Sequence, residues 1–116
     1  MNVKAKNPKF GDIYLVKFHP SQGKGLKKFR PAVVVSTKIN LLFPDYTLIS
    51  PLTSQIQSNS PTDLELTISN KCLDKKSAIL AWYVRTVDTN RLSKKLGTLS
   101  PALQSKLKHT LAQLFT

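Results

Sequence analysis

Apolar residues are grouped along this chain in short runs, and most of the runs favour β-strands over helices. They are rich in β-branched and aromatic residues, or they alternate with period two, as residues on a pleated strand do. The runs are GDIYLVKF (11–18), AVVVS (32–36), YTLISPLTS (46–54), LELTI (64–68), SAILAWYVRTVD (77–88) and KLGTL (95–99). The pattern predicts about six or seven short strands in a partly open antiparallel barrel.

Prolines and polar clusters mark the predicted ends of these strands. Pro31 has no amide hydrogen, so we expect it to open the second strand, and we expect the third strand to run out at Pro51. Segment 19–31 contains two Gly, two Pro and four cationic residues, which is typical of a long basic loop. Segment 37–45 reads as an irregular connection.

The C-terminal segment is the one clear helix in the pattern. Ser100 is a suitable N-cap, and Pro101 follows at the first helical position, where its missing amide hydrogen costs nothing. An apolar stripe then repeats at helical spacing along one face, and we expect Phe115 to widen it. The stripe consists of Leu103, Leu107, Leu111 and Leu114.

Composition limits the classes of partner and site. The chain has 116 residues, enough for one domain, which we place at 10–116 after a flexible basic arm at 1–9. Its formal net charge of +12 predicts a polyanionic partner. No apolar run is long enough to span a membrane, the N-terminus lacks the apolar region of a signal peptide, and Cys72 is the single cysteine. These features predict a cytoplasmic protein with no disulfide.

Metal and cofactor sites are not expected from the residue pattern. The two histidines, His19 and His109, are ninety residues apart, and the six acidic residues are dispersed along the chain. The GKG at 23–25 lacks the spacing of a phosphate-binding loop. Lys24, Lys27 and Lys28 are either a solvated basic loop or contacts for nucleic-acid phosphates.

Arg30 is the most notable candidate for chemistry, because only three of the 18 cationic residues are arginines. A guanidinium fits a phosphate or another oxyanion with a rigid fork of donors, and the alternative is a structural ion pair. Thr53 and Ser54 follow a predicted strand, where their hydroxyls either cap a turn or bind a phosphate.

Several motifs, in order, resemble the toxin family that includes MazF, PemK and Kid. They are GDIYLV, RPAVVVS, PLTSQ, LDKKS, RTVDTNRL and KKLGTLSPALQSKL, and they extend from about residue 10 to 115. The resemblance implies an SH3-like antiparallel sheet with a C-terminal helix, a homodimer, and sequence-specific, metal-independent cleavage of single-stranded RNA. It also implies a 2′,3′-cyclic phosphate product and an acidic antitoxin as protein partner.

The resemblance also assigns candidate residues. Arg30 and Thr53 correspond to catalytic residues of similar toxins, and Arg85 lies in a family signature that we interpret mainly as structural or dimer-stabilising. The loop before Arg30 lacks the carboxylate common in relatives, so His19 becomes a candidate for proton transfer. The RNA-binding candidates are Lys24, Lys27, Lys28, Ser54, Gln55, Trp82, Tyr83 and Arg85.

Trp82 and Tyr83 occupy positions where relatives often have Asp-Gln or Glu-Gln. Strand alternation would place them on opposite faces, so that one is core and the other stacks on an RNA base. Two other functions remain open at this point. One is a toxin of the same fold that binds a protein target such as DNA gyrase, and the other is an RNA-binding module without catalysis.

Overall fold

The computed structural model describes residues 7–18, 29–56 and 64–116. Within them, seven strands and two α-helices follow one another, with a 3-10 turn at Thr89–Arg91 and another at Gln113–Phe115. The strands are β1 (Asp12–Lys17), β2 (Phe29–Val34), β3 (Tyr46–Thr53), β4 (Glu65–Ile68), β5 (Ser77–Leu80), β6 (Arg85–Asp88) and β7 (Leu92–Thr98). The helices are α1 (Lys38–Leu42) and α2 (Pro101–Ala112).

The strands form one antiparallel sheet in the order β4-β5-β3-β2-β1-β7. β3 is its centre: it pairs with β2 along one edge, and along the other it pairs first with β6 and then with β5. Among the described strands β4 and β7 lie at opposite ends of this order, so the sheet is not a closed barrel. The predicted fold class, a partly open antiparallel barrel with a C-terminal helix, is confirmed.

Two hydrophobic clusters lie on the two faces of the bent sheet. The first contains Ile13, Val33 and Ile79, and α2 covers it with the fully buried Leu107. The second lies around Val16 and Ile49 and has Phe18 at its margin. Because neighbouring residues of a strand point to opposite faces, strands that serve both clusters are apolar throughout. This explains why β1 and β2 show continuous apolar runs.

The start of α2 follows the prediction. The Ser100 hydroxyl accepts a hydrogen bond from the Leu103 amide at 3.2 Å, and Pro101 is the first helical residue. Leu103 and Leu111 pack against the first cluster beside Leu107. Phe115 does not widen this stripe, because the helix ends at Ala112 and the following 3-10 turn leaves the Phe115 side chain 88% exposed.

Four other predictions about the elements are wrong. The stretch 77–88 is not one strand, since a turn separates β5 from β6 where β3 changes its partner. β2 begins at Phe29, so Pro31 lies inside the strand, and β3 continues through Pro51 as far as Thr53. The segment expected to be irregular contains α1.

The connection around α1 is held by polar contacts of buried groups. The Ser36 hydroxyl donates to Asn40 Oδ1 at 3.0 Å, and the Asn40 side-chain amide donates to the Pro8 carbonyl at 2.6 Å.

Most of the predicted arm at 1–9 lies outside the described residues, and the arm stays a prediction. In the described part of the chain, neither helix has the length and apolar character needed to cross a membrane.

Candidate functional site

A cleft of about 540 Å³ opens where the ends of β2 and β3 meet the turn before β5. We call it the β2–β3 cleft. Its polar lining includes Arg30, Thr53, Ser54, Gln55, Asp74 and Lys75. The cleft therefore offers a guanidinium and an ammonium, a carboxylate, and neutral hydroxyl and amide groups.

Arg30 and Thr53 reach this cleft through the pairing of β2 with β3. The two strands pair from Val34 opposite Ile49 to Ala32 opposite Pro51, so the start of β2 and the end of β3 lie at the same edge of the sheet. Arg30 is near that start and Thr53 is at that end, and both line the cleft. The two residues that the motifs selected as catalytic therefore share one cleft, although 23 positions separate them in the chain.

The position of Arg30 differs from the sequence prediction. It was expected at the end of a loop, but it is the second residue of β2 and pairs with Val16 of β1. A strand in the middle of a sheet is a firmer support than a loop, and its side chain is exposed toward the cleft. The backbone is fixed, so only the side-chain torsions of Arg30 must be ordered when an anion binds.

Thr53 has the first of the two roles that the sequence left open, the capping of a turn. Its Oγ1 accepts a hydrogen bond from the backbone N–H of Gln55 at 3.1 Å, which closes a tight turn at the end of β3. A hydroxyl that accepts on one lone pair still carries its own donor hydrogen. The turn thus holds the Thr53 oxygen in place while the hydrogen can be donated to a group in the cleft.

Asp74 is the feature of the cleft that the sequence reasoning missed. The loop that precedes Arg30 in the sequence has no carboxylate, whereas Asp74 lines the cleft from the turn before β5. This turn is fixed by the Cys72 amide, which donates to Asn70 Oδ1 at 3.1 Å, and by the Leu73 amide, which donates to the Asn70 carbonyl at 2.9 Å. Asp74 is part of the LDKKS motif, which is one of the family motifs and is the sequence signal for this residue.

Four of the predicted site residues cannot be placed. His19, Lys24, Lys27 and Lys28 lie outside the described residues, so their proposed roles in proton transfer and phosphate binding stay predictions. In the described ranges, no three His, Cys, Asp or Glu side chains are grouped in a way that could hold a metal ion.

Trp82 and Tyr83 are not on opposite faces of a strand, and this prediction is wrong. They lie in the turn between β5 and β6, where alternation does not apply, and both side chains are nearly half exposed. Their rings stack on each other with centroids 5.3 Å apart and planes 10° apart. Arg85 follows at the start of β6, with its guanidinium 5.6 Å from the Tyr83 ring centroid.

Cys72 lies beside the cleft without joining its lining. Burial raises the pKa of the Cys72 thiol above its usual value, so the thiol stays protonated at neutral pH. A protonated thiol is a poor nucleophile, and Cys72 packs against the first hydrophobic cluster.

Comparison with known proteins identifies the family. The family model described as "PemK-like, MazF-like toxin of type II toxin-antitoxin system" matches residues 9–115, almost the whole chain. The chain belongs to this toxin family. The resemblance seen in the ordered motifs is thereby confirmed.

Individual relatives agree with this assignment. The chain is 35% identical over 91 residues to a protein named Endoribonuclease MazF from Staphylococcus saprophyticus subsp. saprophyticus, which covers 78% of this chain and 76% of that protein. The predicted enzyme class, an endoribonuclease, matches the activity for which this relative is named.

Solved structures support the fold at lower sequence identity. A MazE–MazF crystal structure from Deinococcus radiodurans aligns with a TM-score of 0.77 at 20% identity, covering 96% of this chain and 97% of that chain. An endoribonuclease in complex with its cognate antitoxin from a mycobacterial species gives a TM-score of 0.71 at 19% identity, covering 93% and 94%. The bent antiparallel sheet with its C-terminal helix is thus the fold of these toxins.

Proposed function

We propose that this protein is a toxin endoribonuclease that cleaves single-stranded RNA sequence-specifically and without a metal ion. The reaction is attack of a 2′-hydroxyl on the adjacent phosphorus, which leaves a 2′,3′-cyclic phosphate. The observation that carries this proposal is the β2–β3 cleft, in which Arg30, Thr53 and Asp74 line one space on rigid supports.

The cleft supplies the electrostatic part of such a reaction. As the 2′-oxygen approaches phosphorus, negative charge grows on the two non-bridging phosphate oxygens. The Arg30 guanidinium donates to one of these oxygens, and the Thr53 hydroxyl donates to the same or the other one. Donors held in place before the reaction stabilise the charge without reorganising, and each is worth about 10²–10³ in kcat.

Proton transfer completes the reaction. The 2′-hydroxyl loses its proton as the new oxygen–phosphorus bond forms, and the 5′-oxygen gains a proton as its bond to phosphorus breaks. We assign the first transfer to the Asp74 carboxylate, because it lines the same cleft as Arg30. His19 stays the other candidate for proton transfer, and with Asp74 as the base we propose that it donates to the 5′-oxygen, since imidazole changes its charge near neutral pH.

RNA reaches the cleft through the positive charge of the chain. The net charge of +12 attracts a polyanion over a distance, and Lys75 adds an ammonium within the cleft itself. Ser54 and Gln55 line the cleft beside Thr53 and are our candidates for contacts with the sugar or base next to the cleaved bond.

The proposed protein partner is supported by the family. Relatives are solved in complex with a cognate antitoxin or as MazE–MazF. We propose that an acidic antitoxin binds this chain and covers its basic site. We further propose that the protein acts as a homodimer in the cytoplasm. Both RNA and the antitoxin are polyanions, so they compete for the same charged surface.

The test is an RNA cleavage assay in EDTA with a long single-stranded RNA and mapping of the 5′ and 3′ ends. Discrete cuts that leave cyclic phosphates are expected from the wild type. Arg30→Ala and Thr53→Val should each lower kcat by about 10²–10³, and Asp74→Asn by about 10²–10⁴. Lys106→Ala removes a positive charge from the exposed side of α2 and should cleave at the wild-type rate.

Two results would reject the proposal. Intact RNA after incubation with a folded wild-type dimer favours the alternative of a toxin that binds a protein target. Cleavage that persists in Arg30→Ala and Thr53→Val places the chemistry elsewhere on the molecule.

A further inference from the structure

The turn between β5 and β6 carries an aromatic pair that is fixed before any ligand binds. The Trp82 and Tyr83 rings are nearly parallel, at 10°, with centroids 5.3 Å apart. Their exposed fractions are 47% and 43%, so each ring contacts the other on one side and keeps much of its surface open to solvent. Large aromatic rings exposed together on a soluble protein usually mark a binding surface.

Glu65 holds this pair from the neighbouring strand. The Trp82 indole N–H donates to Glu65 Oε2 at 2.9 Å, and the Trp82 backbone N–H donates to the Leu64 carbonyl at 3.3 Å. The turn is closed by the Tyr83 amide, which donates to the Leu80 carbonyl at 3.0 Å. Both the backbone and the side chain of Trp82 are therefore tied to the beginning of β4.

Arg85 adds positive charge to the other side of the pair. Its guanidinium lies 5.6 Å from the Tyr83 ring centroid and 4.9 Å from the Phe18 ring centroid. Both distances are within the range of cation–π attraction. Tyr83 thus lies between the Trp82 ring and the Arg85 guanidinium, which leaves the outer face of Trp82 for a base and Arg85 as a phosphate donor.

The pair lies at a useful distance from the β2–β3 cleft. Ser77, the first residue of β5, lines that cleft, and Leu80 ends the same strand immediately before the turn. At roughly 3.3 Å per residue, the turn begins about 10 Å from the cleft. A single-stranded RNA with its cleaved phosphate in the cleft can thus reach the aromatic pair with a nearby nucleotide.

We propose that Trp82 and Tyr83 form a stacking platform for one unpaired nucleobase of the RNA, and that Glu65 is a positioning residue that holds the platform in its binding orientation. This inference rests on the proposed endoribonuclease function. The occupant is RNA because the platform combines open aromatic faces with the Arg85 guanidinium on a chain of net charge +12. An acidic protein segment shares the charge complementarity, but a flat ring face matches a planar nucleobase more closely than it matches a side chain.

Trp82 is also its own reporter, because it is the only tryptophan in the chain. The probe is a short mixed-sequence single-stranded RNA with all 2′-hydroxyls methylated, which cannot undergo attack by the 2′-oxygen. Stacking of a base on the indole should quench the tryptophan emission of the intact protein in a saturable manner. Because no cleavage is needed, the binding result does not depend on whether the proposed reaction is correct.

The variants separate stacking from general destabilisation. Tyr83→Ala removes the ring that supports Trp82 and should weaken binding of the methylated RNA by roughly 2- to 12-fold, the range for loss of one aromatic pair. Glu65→Ala should raise KM for cleavable RNA by roughly 2- to 10-fold at unchanged kcat, and should lower the emission anisotropy of Trp82 in the free protein. Glu65→Gln keeps an acceptor oxygen for the indole and should restore both values. Phe115→Ala removes an exposed aromatic ring from the C-terminal turn and should behave as wild type.

Three outcomes would overturn the inference. One is binding of the methylated RNA without any change in Trp82 emission. Another is wild-type affinity and wild-type KM in both Tyr83→Ala and Glu65→Ala. The third is quenching by an acidic polypeptide but not by RNA, which would make the pair a protein contact.

Discussion

Replacing Gly11 by alanine should destabilise the protein, and the structure allows the cost to be divided into parts. Gly11 has φ = +94°, a backbone conformation that residues with a Cβ rarely adopt. It also connects the start of β1 with the end of β2 and with the segment between β7 and α2. Its backbone N–H donates to the Val34 carbonyl, and its carbonyl accepts from the Leu99 N–H, each at 2.9 Å. The backbone therefore cannot rotate to a negative φ without breaking both hydrogen bonds.

The new methyl group would also meet Gln104. A Cβ at position 11 lies 2.7 Å from Gln104 Cδ and 2.9 Å from its Nε2, too close for either atom to stay in place. The same Nε2 donates to the Leu99 carbonyl at 2.9 Å, so this hydrogen bond is lost when the side chain moves. The backbone strain costs about 1–2 kcal/mol and the hydrogen bond about 0.5–1.5 kcal/mol. Reduced freedom of the unfolded chain returns about 0.4–1 kcal/mol.

The expected net loss is about 0.5–3 kcal/mol in the free energy of unfolding, measured by urea denaturation at a fixed protein concentration. Gln104→Ala provides the control, because it removes the side-chain atoms nearest to the new methyl group and leaves the backbone strain. The two substitutions together should cost less than the sum of the single ones, by about 1 kcal/mol. Additive costs, or a Gly11→Ala variant as stable as the wild type, would refute the assignment of the steric contact.

The other predictions concern buried polar groups. Ser50→Ala should leave the free energy of unfolding unchanged or raise it, because the buried Ser50 hydroxyl has no hydrogen-bond partner in the described part of the chain. The matched variant Ser36→Ala should cost about 1–3 kcal/mol by urea denaturation, since it removes the partner of Asn40; equal effects of the two would contradict this reasoning. Burial and the nearby Asp12 carboxylate raise the pKa of Tyr14, so the folded state holds this proton more tightly than the unfolded state. The resulting stabilisation is present below pH 10, the usual Tyr value, and is lost as the pH rises through the folded pKa. Tyr14→Phe should therefore lose less stability than the wild type between neutral pH and strongly alkaline pH, and parallel curves would disprove the coupling.

Elements with a strong local signal could be predicted from the sequence. The strand at β1 follows from its run of apolar β-formers, and the start of α2 follows from the Ser100–Pro101 pair, whose capping hydrogen bond is present. In both cases the energy that decides the structure comes from residues within one turn or one strand. The end of α2 was less predictable, because no glycine or proline marks it and Phe115 continues the apolar spacing past the last helical residue.

Elements decided by distant pairing could not be predicted in the same way. The residues 77–88 have strand propensity throughout, and nothing in their own sequence requires a break. The break arises because β3 offers its edge in two sections, one to β6 up to Ile49 and one to β5 from Leu52. Trp82 and Tyr83 fall into the gap between those sections, so their ring stacking depends on a strand more than 25 residues earlier in the chain.

The same argument explains the acid–base part of the cleft. In the sequence, two lysines and no carboxylate lie close before Arg30. From the sequence alone, the residue that accepts or donates the proton was therefore the least defined part of the site. In the folded chain Arg30 and Thr53 line the same cleft, and β5 pairs with the end of β3 that carries Thr53 and Leu52. The turn before β5 therefore lies near Thr53, and it carries Asp74 into the cleft from 44 positions away. A carboxylate supplied in this way needs no acid in the loop before Arg30, so the absence of an acid in that loop does not argue against catalysis.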